Sequence, residues 1–203
     1  MPDETRTYRM RRRAESQLQT RLRITESAVA LHGTLGPSRT SISAVAAHAG
    51  VRRSTVYRHF ADEAALFDAC SAHWAATNPP PDLDAWSAIE DPDERLRVAL
   101  GELYGFYRRT ESMLDNLFRD ETTSPFVQER FAAFRGYLEA VRGTLMAGRD
   151  LRGTARRHTQ AALGHATAFA TWKSLVREQR LSDAAAVTLI SAIVVAAREG
   201  AID

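Results

Sequence analysis

The chain has 203 residues, 44% of them hydrophobic and 26% charged. That is enough for one or two domains with a sizeable core, and it excludes wholesale disorder. The formal charge of +2 hides an asymmetry: residues 1–60 hold 11 arginines against four acids, net +7, and residues 61–203 hold 16 basic against 21 acidic residues, net −5. The first third is therefore the part suited to a polyanion.

The whole chain reads as helix. No alternation of period two persists, alanine is abundant, and apolar residues recur at three and four. The first helix is expected over about 14–32. Ile24, Ala28, Leu31 and Leu35 form its buried stripe, and Gly33 and Gly36-Pro37 stop it. A short second helix follows over about 41–48, capped by Thr40 or Ser41. Ala49-Gly50-Val51 makes a turn, and a third helix covers about 52–58. Asp62 caps a fourth over about 62–77. Residues 78–90, with Pro79-Pro80-Pro81, are expected to form a loop. Asp91-Pro92-Asp93-Glu94 is a strong helix start, with Asp91 as cap and Glu94 closing a capping box. Further helices are expected over about 92–109, 111–120, 125–148, 154–179 and 183–199.

The turn-linked short helices in the basic third form a helix-turn-helix signal. The second helix of such a pair enters the major groove and presents the side chains of its first turns to base edges. Here those are Arg52, Arg53, Ser54 and Thr55, then Tyr57, Arg58 and His59, and each can donate or accept a hydrogen bond. Val56 and Phe60, four apart, are left to face inward. Core packing alone explains so polar a helix poorly.

The stretch from Thr40 to Phe60, TSISAVAAHAGVRRSTVYRHF, resembles the DNA-binding signature of TetR-family transcription regulators. Ile24, Ala28, Leu31 and Gly36 before it, and Ala64-Ala65-Leu66 after it, fall where that signature places them. The resemblance covers about 24–66; the rest matches in helical character and length only. It implies an all-α fold with an N-terminal DNA-binding domain at 1–61 and a helical ligand-binding and dimerisation domain at 62–203. It implies a homodimeric repressor that a small-molecule effector releases from a palindromic operator. Carried over residue by residue, Thr40 or Ser41 binds a phosphate and Ser43 faces the groove. Arg53, Ser54, Thr55 and Arg58 read bases, while Tyr57 and His59 hold phosphates. Two positions depart from the pattern: Glu63 stands where lysine is frequent, and His32 where an aromatic residue is common. The arginines at 9, 11, 12 and 13 suit either an arm that reaches the minor groove or flanking phosphates, compensating for Glu63, or a solvated tail. Arg21 and Arg23 read as a solvated helix face.

Beyond the helix-turn-helix, aromatic residues crowd the middle of the chain. Core packing accounts for any one of them. A cavity between helices accounts for several together, with Met113, Leu114, Phe118, Phe134, Tyr137, His165, Phe169 and Trp172 as candidate effector contacts. Glu102 and Asp115 would suit a cationic ligand if they point inward. His158 and His165 are two turns apart and no Cys–His cluster is visible, so no metal site and no cofactor are expected. Nor does a nucleophile motif, a phosphate loop or a carboxylate pair stand out, so an enzyme is not expected. Small and aliphatic residues at 161, 162, 164, 168 and 171, and at 187, 190, 193, 194 and 197, suit either an internal core or a dimeric four-helix bundle.

No apolar run reaches about 18 residues, so no membrane span is expected. The first 16 residues lack the apolar stretch of a secretory signal. Cys70 is the single cysteine, which fits a reducing cytoplasm. The competing readings are a helical small-molecule-binding protein and an activator without ligand-released repression.

Overall fold

The computed structural model describes residues 3–199, which form helices and turns with no strand among them. The outer ends of the two expected domains, residues 1, 2 and 200–203, lie outside the described residues. The chain divides into two compact units, Met1–Pro79 with Ser112–Arg130 and Pro80–Glu111 with Phe131–Asp203.

The first unit opens with α1 (Asp3–Thr34), which starts well before the expected residue. The reason is local: arginine, methionine, glutamate, glutamine and alanine are good helix formers, and no glycine or proline interrupts 3–32. Ile24 and Ala28 are wholly buried, as the stripe requires. Leu35 is not part of it; it lies past the helix end and is exposed. A single 3-10 turn (Pro37–Arg39) leads into α2 (Ile42–His48), α3 (Arg53–His59) and α4 (Glu63–Thr77). α1 packs on α2, α3 and α4 around Ile24, Ala28, Val45, Val56, Phe60 and Leu66. Ser41 and Asp62 are the caps, accepting from Ala44 N at 3.2 Å and Ala65 N at 2.8 Å.

The end of α1 is closed by residues about eighty positions further on. Asn116 Nδ2 donates to the carbonyls of His32 and Gly33, both at 2.9 Å, and the Ser112 hydroxyl donates to Gly33 O at 2.9 Å. Arg119 donates to Leu35 O at 2.9 Å, and Asp120 accepts from Ser38 N at 2.9 Å. These bonds satisfy carbonyls that a helix end leaves without an intrahelical donor. Gly36 sits between them at φ 95°, where an added Cβ would strike the Arg119 and Asp120 side chains. Nearby, His32 Nδ1 lies 3.4 Å from Cys70 Sγ. The fold thus makes a Cys–His pair that sequence spacing hides. No group of three metal-binding side chains forms among the described residues.

In the second unit, the expected loop contains a short helix, α5 (Leu83–Ser87), whose Trp86 is fully buried. α6 (Pro92–Glu121) is one helix where two are expected, and from Ser112 on it belongs to the first unit. No glycine or proline occupies 106–121, and Thr110 bonds back to Phe106 O at 2.7 Å without breaking the ladder. Asp91 caps α6 through Asp93 N at 2.9 Å, but Glu94 pairs with Arg97 instead of closing a capping box.

The expected 125–148 helix is two, α7 (Pro125–Arg130) and α8 (Ala132–Met146), the first counted with the first unit. The expected 154–179 helix is also split, into α9 (Gly153–Ala166), α10 (Phe169–Lys173) and a π turn (Ser174–Glu178). Two buried tyrosines take the carbonyls at that break: Tyr104 OH donates to Ala166 O at 2.9 Å and Tyr107 OH to Thr167 O at 2.6 Å. α11 (Asp183–Glu199) matches its expected span and packs along α9. Asp93 joins buried Arg149 (2.7 Å) to Arg198 on α11 (2.9 Å). Burial of Asp93 opposes its charge, yet the two arginine bonds outweigh that and hold its carboxyl below the usual range.

Candidate nucleic-acid interface

α2 and α3 are joined by a turn that requires Gly50 at φ 65°. The residue ends α2 in the left-handed conformation, its N–H donating to Ala47 O at 3.2 Å, while Val51 N donates to Ala46 O at 2.9 Å. The next residue, Arg52, is extended and starts α3 with no side-chain cap. The first-turn amides of α3 therefore keep their positive end uncovered by side-chain oxygen.

Val56 and Phe60 are 1% and 2% exposed and fix which face of α3 turns inward. Arg52, Arg53, Ser54, Tyr57 and Arg58 are exposed, and Thr55 and His59 are half-buried. Six of the seven polar side chains singled out in the sequence thus lie on one short helix, away from its core edge, and Arg52 is its cap. Arg53 Nη2 donates to Tyr57 OH at 3.1 Å, and its guanidinium lies 5.5 Å from the centre of the Tyr57 ring. That bond raises the Arg53 pKa, and Glu63 adds a smaller attraction. Glu63 sits in the first turn of α4, where its charge favours the helix dipole.

Thr40 and Ser41 differ in what they have left to offer. The Thr40 hydroxyl donates to Gly36 O at 2.8 Å, so its proton is committed. Ser41 only accepts, from Ala44 N, so its hydroxyl proton remains available. Ser43 is exposed on α2. His59 has its pKa lowered by burial first, then by Arg58 and Arg21.

Sequence reasoning missed the role of Arg21. Its guanidinium donates to His59 O, the carbonyl at the end of α3, and lies 4.1 Å from the Phe60 ring centre. It is a joint between α1 and α3 more than a solvated charge. Its spacing from His59 is 38 residues, so no local pattern could show it.

The eight candidate effector contacts do not come from one unit. Met113, Leu114 and Phe118 belong to the first, and Phe134, Tyr137, His165, Phe169 and Trp172 to the second. Within the second, Phe134 stacks on Tyr137 with centres 5.9 Å apart, and Phe169 lies 5.5 Å from Trp172. Trp172 is fully buried and donates to Asp183 at 3.1 Å. Tyr137 OH donates to Pro81 O at 3.0 Å, and burial pushes the phenol well above its usual range. His165 is exposed on α9 and 3.2 Å from the Thr171 hydroxyl. Glu102 accepts from Trp86 Nε1 at 2.9 Å. A cleft of about 620 Å³ in this unit is lined instead by Arg142, Met146, Arg149, Arg156, Gln160 and Leu163, among others, and by none of the eight.

Residues 24–70 match the family model of the bacterial regulatory proteins of the tetR family. No curated protein matches the chain. Among solved structures, the fold is similar to a TetR-like transcriptional regulator from Rhodococcus sp. RHA1, with 20% identity, a TM-score of 0.63, and 89% of this chain and 96% of that one covered. It is similar to a tetR-family transcriptional regulator from Streptomyces coelicolor, at 17% identity and a TM-score of 0.56, covering 87% of this chain and 77% of that one. It is also similar to the transcriptional regulator FadR from Bacillus subtilis in complex with stearoyl-CoA, at 15% identity and a TM-score of 0.56, covering 88% and 98%. The two short helices, the glycine turn and the outward arginines form a helix-turn-helix. Segment 24–70 is thus similar to the tetR family, and the fold of the chain is similar to that of a TetR-like protein.

Proposed function

We propose that the chain is a sequence-specific DNA-binding repressor that acts as a homodimer and leaves a palindromic operator when a small molecule binds it. The observation that carries this is α3: six polar side chains on one seven-residue helix, with Arg52 at its cap, held at fixed pitch by buried Val56 and Phe60. Arg53, Ser54, Thr55 and Arg58 read base edges, with Arg52 beside them, and Tyr57 and His59 hold phosphates. Ser41, with its hydroxyl proton available, is the better phosphate donor of the Thr40–Ser41 pair, and Ser43 faces the groove. Residues 1–61 form the DNA-reading head and 62–203 the effector-binding and dimerising part.

Dimerisation is supported by α11. Leu189 and Ile193, one turn apart, stay 44% and 41% exposed while Ile190 and Val194 are buried within the protomer. A second α11 would cover that ridge, and a two-fold pair of α3 helices then reads half-sites about 34–36 Å apart. An effector shifts the equilibrium only by its difference in affinity for the two states. The aromatic cluster of the second unit around Phe134, Tyr137, Phe169 and Trp172, with His165 beside it, is the proposed effector region. The absence of a helix long and apolar enough to span a membrane among the described residues suits action on DNA in the cytoplasm.

The test is selection of duplexes from a random-sequence pool by the purified protein, followed by sedimentation of the complex. A palindromic consensus bound by two protomers is expected. Enrichment of no sequence, or a monomer on DNA, overturns the proposal.

A further inference from the structure

α1 continues far outside the core that it anchors. From Arg6 to Gln19 every side chain is exposed, and the first wholly buried residue is Ile24. An isolated helix of that length is marginal in water, but here the packed half of α1 supplies the nucleus and only elongation is needed. Within the extension, Arg12 lies over the Tyr8 ring at 5.9 Å and the Thr20 hydroxyl bonds Ser16 O at 2.8 Å. Arg6, Arg9 and Arg13 share one side at spacings of three and four, with Arg12 next to them. Met10, Ala14, Leu18 and Leu22 recur every four residues along a neighbouring row that starts beside Arg6 and Arg13. Eight residues after Arg13 on the same helix, Arg21 grips the carbonyl end of α3.

We infer that the exposed half of α1 is a rigid second DNA-binding element, which lays its arginine side along the phosphates outside the sequence that α3 reads. This rests on the DNA-reading role proposed for α3. Charge complementarity commits the occupant to duplex DNA: 3–23 holds seven arginines against three acids. Continuity commits the place, since Arg21 joins the rod to α3. From Arg21 back to Arg6 the helix spans about 22 Å at 1.5 Å per residue, about six base pairs at 3.4 Å each. The contact sets the length of the operator and adds affinity, while the order of bases is left to α3. A rod differs from a flexible basic tail in one respect: its arginines work only while the helix is intact.

The test uses full-length protein and a duplex recovered from the random pool, in its full length and trimmed by six base pairs at each end. Arg6, Arg9 and Arg13 are changed together to glutamine, which preserves helix propensity. The slope of log affinity against log salt is expected to fall by about 2.7 per protomer, about 40-fold in affinity between 50 and 200 mM salt. Trimming should weaken the wild type and leave the triple variant unaffected. Ser16→Pro keeps every arginine but interrupts the rod, and it should match the triple variant. An unchanged slope in the triple variant overturns the inference, as does full affinity of Ser16→Pro, which would mean a flexible tether. Binding of the wild type to phosphatidylserine vesicles together with an unchanged DNA slope would also overturn it, in favour of a membrane surface. If the wild type enriches no duplex at all, the role of α3 fails first, which separates the two outcomes.

Discussion

His32 gives a quantitative prediction about acid. It is buried at the end of α1, with Phe67 5.3 Å from its ring and Cys70 Sγ at 3.4 Å. Burial lowers its pKa from 6.5 to about 4, and Asp120 offsets only part of that cost. Above pH 7 the imidazole is neutral folded and unfolded, so it contributes no pH dependence. As the pH falls through 6.5 the unfolded chain takes up a proton that the folded chain refuses until about 4. The unfolded state then binds more protons, and stability is lost across that window, levelling off below it. The gap is worth about 3 kcal/mol, a large share of a domain stability of about 5–15 kcal/mol. His32→Phe keeps a ring against Phe67 and removes the proton site. Urea unfolding of both proteins between pH 8 and pH 4.5 cancels the carboxylates they share, and the wild type should lose about 2–3 kcal/mol relative to the variant. Parallel curves would refute the reasoning, as would an imidazole signal, absent in His32→Phe, that titrates near 6.5.

Arg53→Ala should cost about 1–3 kcal/mol on a selected duplex if it reads a guanine; competition binding checks it, and an equal loss on random DNA would make it a phosphate contact. The lowered pKa of His59 sets a pH dependence for DNA affinity: a phosphate beside the ring raises its pKa in the complex, so the complex binds more protons and affinity rises on acidification. Fluorescence anisotropy from pH 8 to pH 5.5 should show that rise in the wild type and a smaller one in His59→Gln; identical profiles would remove the phosphate role. Asp93→Asn should destabilise by about 3–5 kcal/mol, because it leaves the guanidinium of Arg149 buried without its carboxylate; thermal unfolding measures it, and a loss under about 1 kcal/mol would show that the network contributes little.

Local chemistry was legible in the sequence, and distant chemistry was not. The boundaries of α2 and α3 follow from Ser41, Gly50 and Asp62, each acting within four residues, and the inward pair Val56–Phe60 follows from helical spacing. The outward side chains of α3 were readable for the same reason. The continuity of α6 through Thr110 was not, because a β-branched polar residue marks a break only when its hydroxyl competes for the backbone, and this one bonds back within the helix. The break after Ala166 was hidden for the opposite reason. Its cost is met by Tyr104 and Tyr107, some sixty residues earlier, and no window centred on 166 contains them. Arg21 and the His32–Cys70 pair are likewise products of packing across 38 residues.

The plug formed by Ser112, Asn116, Arg119 and Asp120 at the foot of α1 has a practical corollary for dissection. A gene fragment stopping at residue 79 would encode the reading helices yet strand the carbonyls of Gly33 and Leu35 and the amide of Ser38, and leave His32 O only the Gly36 amide. Such a piece should fray from the glycine hinge inward. Grafting this reader onto another scaffold therefore means transplanting the stretch 112–120 along with it.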